Sequence, residues 1–250
     1  MFVCAYMIYS CRRCFCSPAR TVAIFFSLFS CTHAQGYFKG CLTFGIFDVT
    51  EIQWTGICLM LASAVVDKSF WQMKVYNDLP LNAVPAVCTV VISAIVISGN
   101  VVVSFTCKRV PYAKTPPLEL WIGLLVFAGI AVTWMSCCMQ RMSAGDLVAA
   151  LWALGFLNAA HACSLIVAHM SQTALGRAAY LRFLPTAACV AASAMQVVEV
   201  RQGALACLAI NLGIFLHYGI SLCYEISTFL GIQIFKVGAP TVKDTRKRSQ

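Results

Sequence analysis

Long apolar runs alternate with short polar segments along almost the whole chain. Each run has roughly twenty residues, enough for an α-helix to cross about 30 Å of bilayer hydrocarbon. The pattern therefore predicts an all-α protein, a polytopic transmembrane helix bundle. After an N-terminal helix stub it predicts about seven spans, at 20–38, 52–66, 83–106, 118–139, 147–170, 183–199 and 204–225.

Composition supports the membrane interpretation. The 250 residues are 60% hydrophobic and 11% charged, whereas about a quarter of the residues of a soluble domain are charged. The net charge of +9 does not indicate nucleic-acid binding, because five of the eighteen basic residues lie in the tail at 236–248 and the others lie mostly in short loops. We predict a single transmembrane domain over 1–236 and a basic cytosolic tail over 237–250, with anionic lipids as the natural partners of these charges.

The fifteen cysteines do not predict a disulfide framework. Most lie inside predicted spans, where a thiol behaves as a small hydrophobe. Cys11, Cys14 and Cys16 lack the second pair or the histidine that would complete a tetrahedral zinc site.

Residues 33–51 form a polar island between two apolar runs. Ionisable groups beside a bilayer are costly, so such a cluster is a functional-site hypothesis. Its polar members are His33, Gln35, Tyr37, Lys39, Asp48 and Glu51.

Orientation follows from the basic residues of alternate loops. Eleven of the eighteen fall on the side that holds the 39–51 loop and the tail, which places both in the cytosol. Four acids and three histidines then gather in the cytosolic half of the bundle, where we expect any polar cavity to open. They are Asp48, Glu51, Glu119, Glu225, His33, His169 and His217.

The polar island also carries a family resemblance. The segment 33–51 follows a pattern H-x-Q-x-Y-x-x-G-x-L-x-F-G-I-x-D-V-T-E, with shorter matches in the same order at 70–72, 85–90, 167–170 and 230–235. In these blocks the chain resembles the choline/ethanolamine phosphotransferases of the CDP-alcohol phosphatidyltransferase family. The resemblance covers about residues 20 to 236 and corresponds to the C-terminal two-thirds of such an enzyme.

The resemblance implies a role in phospholipid synthesis. Members of this family transfer phosphocholine or phosphoethanolamine from CDP-choline or CDP-ethanolamine to diacylglycerol and release CMP. They use Mg²⁺ or Mn²⁺, work at the cytosolic face of endoplasmic reticulum or Golgi membranes, and tend to dimerise. The cytosolic side that we predict for a polar cavity agrees with that orientation.

One departure from the family is large. Its chemistry depends on the signature D-G-x-x-A-R-x8-G-x3-D-x3-D, whose carboxylates hold two cations. This chain has no Asp-Gly pair and no D-x3-D, so we assign no catalytic residue and no metal ligand and expect the chain to be inactive alone. Residues 1–10 resemble the end of a helix, which favours a shortened form of a longer enzyme. The alternative is a non-catalytic subunit that partners a full-length phosphotransferase.

Several site residues have a second, structural interpretation. His33 and Gln35 either line a head-group cavity or form hydrogen bonds between helices. Tyr37 is also typical of an interface aromatic. Asp48 is expected to cap a helix, with Glu51 either its capping-box partner or a contact for a cationic head group. Further along, Asn158 and His161 are predicted to form interhelical hydrogen bonds.

Overall fold

The computed structural model describes residues 18–41, 54, 57–58, 61–62, 65–76, 79–81, 83–111, 113–176 and 178–231, which are mostly helical. In chain order the elements are α1 (Pro18–Lys39), α2 (Lys68–Trp71), β1 (Lys74–Tyr76), β2 (Leu79–Pro80), α3 (Ala83–Thr106), α4 (Pro117–Cys138), a 3-10 turn (Met139–Arg141), α5 (Ala144–Met170), α6 (Ala178–Leu181), α7 (Phe183–Ala194) and α8 (Val200–Leu230). The two strands form a short antiparallel hairpin, a small addition to the predicted all-α fold.

Within the part of the chain just defined, three helices are long and apolar enough to cross a membrane: α4, α5 and α8. A shorter apolar stretch, Val90–Thr106, lies in α3. These helices support the predicted membrane bundle. The number of about seven spans stays a prediction, and the predicted span at 52–66 lies mostly outside the described residues.

The predicted span at 183–199 is wrong in its length. Helix α7 has 12 residues and ends at Ala194, five residues before the predicted end. Alone it extends about 18 Å, less than the roughly 30 Å of hydrocarbon, and Arg182, which is also helical in φ and ψ, joins it to α6. The chain then turns at Gln196, whose φ of 62° is left-handed. The amide of Val197 donates to the carbonyl of Ala192 at 2.9 Å, which is a Schellman ending.

Local capping explains where α5 begins. Ser143 precedes the helix, and its hydroxyl accepts from the Asp146 amide while the Asp146 carboxylate accepts from the Ser143 amide at 3.0 Å. This reciprocal capping box satisfies two amides that a helix start would leave without partners. Helix α4 begins at Pro117, a residue whose fixed φ suits the first helical position.

Helix α1 packs against α3, α4 and α5, and α4 also packs against α7. The apolar core includes Phe127, Trp134 and Leu154, all nearly inaccessible. Buried polar groups hold the helices in register, because the Ser30 hydroxyl of α1 donates to Asn158 of α5 at 2.7 Å. This contact confirms the predicted interhelical role of Asn158.

A second polar contact joins α5, α7 and α8. The Thr186 hydroxyl donates to the Asn211 side-chain oxygen at 2.8 Å, and the Asn211 amide donates to the Ala153 carbonyl at 3.1 Å. Both side chains are completely buried. Because buried polar groups are stable only when paired, this contact fixes one arrangement of the three helices.

The chain falls into two compact units, Met1–Phe215 and Leu216–Gln250. The loop between α3 and α4 lies inside the first unit. The predicted boundary between a membrane domain and a tail at 236–237 lies outside the described residues and stays a prediction.

Candidate functional site

Tyr37 is the best-defined member of the predicted site. It lies near the end of α1, and its side chain is completely buried. Its hydroxyl donates to the Thr173 carbonyl at 3.2 Å and lies 3.3 Å from the Thr115 hydroxyl oxygen. The Thr115 oxygen in turn accepts from the Leu175 amide at 3.0 Å. We call these four residues, Tyr37, Thr115, Thr173 and Leu175, the Tyr37 junction.

Two loops bring the partners of Tyr37 into place. Thr115 precedes α4 in a loop that also pairs with α1, because the Val110 amide donates to the Phe38 carbonyl at 3.1 Å. Thr173 follows α5 in a turn where Gln172 has a φ of 54° and the Thr173 amide donates to the Ala168 carbonyl at 2.9 Å. This is the Schellman geometry again. One hydroxyl therefore joins the end of α1 to the loop before α4 and the turn after α5.

His33 lies one helical turn before Tyr37 and shares its face of α1. It is half-buried, and its ring meets the ring of Phe29 edge-on at a centroid distance of 4.4 Å. It also lies close enough to His169, at the end of α5, for the two imidazoles to interact electrostatically. Gln35 is buried, with 8% of its surface exposed.

Tyr180 is a member of this region that the sequence did not indicate. It lies on the short helix α6, and its ring occupies the space where a side chain at Gly123 of α4 would stand. Burial raises the pKa of its phenol above the ordinary value, and the nearby Glu119 carboxylate and Tyr37 raise it further. Tyr37, Tyr180 and Glu119 therefore lie near one another at one end of the first unit.

The structure brings together only some of the predicted site. His33, Gln35 and Tyr37 share the last turns of α1, with His169 and Glu119 nearby. Asp48 and Glu51 lie outside the described residues, so their predicted roles stay predictions. His217 and Glu225 are exposed on α8 and belong to the second unit.

Two structural predictions are corrected. An interface aromatic would face lipid, but Tyr37 is enclosed by protein on every side. His161 was expected to form an interhelical hydrogen bond, but neither ring nitrogen has a hydrogen-bond partner in the described part of the chain. Instead its ring lies among aromatic side chains, 5.3 Å from the Phe183 centroid and 6.0 Å from that of Tyr180.

A cleft of about 370 Å³ lies at the other end of α5. Its charged members are Arg141, Asp146, Glu199 and Arg201, with Gln196, Val198 and Val200 between them. We call it the arginine cleft. From the sequence we expected a polar cavity on the side of His33. This cleft instead lies at the opposite end of α5, whose 27 residues extend about 40 Å.

The described residues do not fit a metal centre. Among them, no three His, Cys, Asp or Glu side chains converge as metal ligands would. Every cysteine of this part of the chain is a free thiol. The expected dependence of the family on Mg²⁺ or Mn²⁺ stays a prediction for any protein that contains the signature.

No family model matches the chain. It is 24% identical to cholinephosphotransferase 1 of Xenopus laevis over an alignment of 221 positions that covers 85% of this chain and 54% of that protein. The similarity is to cholinephosphotransferases. A segment of 48 residues, 19% of this chain and 13% of the relative, is 46% identical to cholinephosphotransferase 1 of Danio rerio.

These values show weak homology to cholinephosphotransferases and support the family that the polar island indicated. The chain spans about half the length of the Xenopus laevis protein. The transferase activity in the name of these relatives is therefore theirs, and its extension to this chain is a proposal.

Proposed function

We propose that this chain is a membrane component of phospholipid synthesis, related to the enzymes that transfer phosphocholine or phosphoethanolamine from CDP-alcohols to diacylglycerol. The observation that carries the proposal is the similarity to cholinephosphotransferase 1 over 85% of the chain. Apolar helices long enough to cross a membrane support it, because diacylglycerol and its phospholipid products reside in membranes.

The proposal includes a role for the end of α1 and for Glu51, which follows it in the sequence. His33 and Gln35 of α1, together with Glu51, would line one wall of the cavity for the head group or nucleotide. The half-buried position of His33 beside His169 supports this role, since a histidine there can still reach a ligand. Tyr37 would instead hold that wall in place, because its hydroxyl already binds Thr173 and lies against Thr115.

We further propose that this chain alone does not catalyse the transfer. The nine acidic residues are scattered along the chain, and no two aspartates stand four apart. Carboxylates at i and i+4 share one face of a helix, and that arrangement is what would hold a pair of cations.

The test uses the full 250-residue chain in membranes that lack other phosphotransferases. We expect no labelled phospholipid from CDP-choline or CDP-ethanolamine and diacylglycerol, with either Mg²⁺ or Mn²⁺. Addition of an upstream segment bearing the signature should produce activity. His33→Ala in that extended protein should lower activity more than Lys108→Ala, a change at an exposed loop residue. Turnover by the 250-residue chain, or failure of the extended protein, would contradict the proposal.

A non-catalytic subunit is the second candidate. Helix α8 favours it, because the described residues bury only 11% of its most apolar stretch, which leaves a long apolar surface for a membrane partner. A tagged chain should then co-purify from mild detergent with a full-length cholinephosphotransferase and not with an unrelated membrane protein of similar abundance. Equal recovery of both proteins would remove this candidate.

The cellular setting is part of the same proposal. We place the chain in endoplasmic reticulum or Golgi membranes with its C-terminus in the cytosol, since basic residues are more numerous on that side. A protease added outside intact microsomes should remove a C-terminal epitope tag. Protection of that tag until detergent is added would reverse the orientation.

A further inference from the structure

The arginine cleft holds opposite charges that are not all paired with one another. It contains two guanidinium groups and two carboxylates, yet in the described part of the chain Arg201 and Glu199 form no side-chain hydrogen bond and no ion pair. Asp146 uses one carboxylate oxygen, Oδ2, in its capping box with Ser143. Exposed ion pairs are weak, and a charged group without an internal partner can form a charge-assisted hydrogen bond with a ligand, so this cleft offers both signs of charge to a ligand.

Backbone geometry holds the cleft in shape. The Nη2 atom of Arg141 donates to the Cys137 carbonyl at 2.9 Å and to the Ser193 carbonyl at 3.3 Å. These two hydrogen bonds connect the end of α4 to the end of α7. The Schellman turn at Gln196 then leads directly into Glu199 and the start of α8. The guanidinium of Arg141 is therefore oriented by the fold, and a ligand would meet a largely formed site.

The position of the cleft indicates where its ligand resides. It lies at the first residues of α5 and α8, two of the helices that are able to cross a membrane. The end of a span lies at the depth of lipid head groups. The volume of about 370 Å³ is within the range of small-molecule sites, roughly 300–1,000 Å³.

We propose that the arginine cleft binds a zwitterionic phospholipid head group that carries a phosphate and a primary ammonium. The phosphate would lie against Arg201 and Arg141, since a guanidinium pairs well with phosphate oxygens. The ammonium would donate to Glu199 and to the second oxygen of Asp146. This site lies at the opposite end of α5 from the region of the proposed function and does not depend on it.

The first test measures ligand-observed NMR binding to the full chain in an uncharged maltoside detergent. The probes are glycerophosphoethanolamine, which carries both charges, glycerol 3-phosphate, which carries the anion, and ethanolamine, which carries the cation. We expect glycerophosphoethanolamine to bind at least tenfold more tightly than either half. Equal affinity for glycerol 3-phosphate would overturn the zwitterion assignment and leave an anion site.

Charge variants separate the two halves of the site. Arg201→Gln should weaken the binding of glycerophosphoethanolamine and of glycerol 3-phosphate by about tenfold, the loss expected for one charge-assisted hydrogen bond. Glu199→Gln should weaken the binding of glycerophosphoethanolamine and of ethanolamine. It should strengthen the binding of glycerol 3-phosphate, because it removes a negative charge that repels the phosphate. Lys108→Gln, an exposed change at the other end of the bundle, is the matched control and should alter none of them. The same loss in all three variants would show non-specific charge attraction and overturn the proposal.

A second test distinguishes a lipid from a soluble ligand. The chain extracted from vesicles of equal phosphatidylethanolamine and phosphatidylglycerol should retain phosphatidylethanolamine in native mass spectrometry, and Arg201→Gln should lose it. Retention of phosphatidylglycerol instead, or of neither lipid while glycerophosphoethanolamine still binds, would overturn the lipid head group as the occupant.

Discussion

The two ends of α5 use polar residues in opposite ways. At the Tyr37 junction a fully buried hydroxyl lies within hydrogen-bond distance of two threonines. At the arginine cleft the charged side chains are exposed or half-buried, and Arg201 and Glu199 have no side-chain partner within the described residues. Paired buried groups stabilise a fold, while charges without partners in a cleft are available to a ligand. We therefore assign a structural role to Tyr37 at the first end and the proposed binding of a lipid head group to the arginine cleft at the second.

The largest expected effect is at Tyr37. Tyr37→Ala removes a completely buried aromatic side chain together with its hydrogen bonds, and should lower the free energy of unfolding by about 3–5 kcal/mol. Chemical denaturation in detergent measures it. Tyr224→Ala, which alters a side chain that is 72% exposed, should change that free energy by less than about 0.5 kcal/mol. Similar losses in both variants would show that Tyr37 does not join the three segments.

Removal of the hydroxyl alone gives a smaller effect. Tyr37→Phe keeps the ring but leaves the buried Thr115 hydroxyl and the Thr173 carbonyl without this partner, at a cost of about 1–3 kcal/mol in the free energy of unfolding. Thr115→Val should cost a similar amount, and the double variant should cost less than the sum of the two. Strict additivity would mean that the two hydroxyls do not interact. Tyr224→Phe is the control with an exposed hydroxyl.

Close packing at Tyr180 provides a comparison within one helix. A methyl group at Gly123 would overlap the Tyr180 ring, whereas one at Gly129 would meet no atom within 4 Å. Gly123→Ala should therefore lower the unfolding free energy by about 1–3 kcal/mol. Gly129→Ala should raise it by about 0.5–1 kcal/mol through helix propensity. Equal effects would show that α6 does not pack on α4 as described.

The two Schellman turns, one after α5 and one after α7, both have a glutamine in the left-handed position. Gln172 and Gln196 have positive φ values of 54° and 62°, which glycine adopts more readily than glutamine. Gln196→Gly should raise the unfolding free energy by up to about 1 kcal/mol. Gln202→Gly, the same substitution in the first turn of α8, should not. A loss of stability at Gln196 would contradict the left-handed turn.

The smallest effect on stability is expected in the arginine cleft. Arg201→Gln removes an exposed charge without an internal partner, so the unfolding free energy should change by less than about 0.5 kcal/mol. Thermal unfolding without ligand measures this. A loss near that of Tyr37→Phe would mean that the cleft supports the fold.

Much of the fold is predictable because hydrophobic runs define helix length. The predicted spans at 83–106 and 118–139 nearly coincide with α3 and α4. The span at 183–199 failed because a glutamine, and not the usual glycine, occupies the left-handed position that ends α7. Hydropathy depends on side-chain type and does not predict a left-handed backbone conformation at a glutamine.

The candidate site was only partly predictable. The cluster of polar residues marked His33, Gln35 and Tyr37, because such residues are rare beside a bilayer. The contacts of Tyr37 could not be predicted from the sequence, because Thr115 and Thr173 lie 78 and 136 residues away. Threonines in loops are also common and do not stand out. The charges of the arginine cleft come from two segments, 141–146 and 199–201, which are far apart in sequence and meet only in the folded chain.

Thermal unfolding of Tyr37→Phe and Arg201→Gln, each with and without glycerophosphoethanolamine, tests this division most directly. We predict that Tyr37→Phe unfolds at a lower temperature but keeps the full ligand-induced rise in Tm, because its cleft is intact. Arg201→Gln should unfold at the same Tm as the unsubstituted chain and lose most of the ligand-induced rise in Tm. Loss of the ligand effect in Tyr37→Phe, or a parent-like rise in Arg201→Gln, would contradict the account.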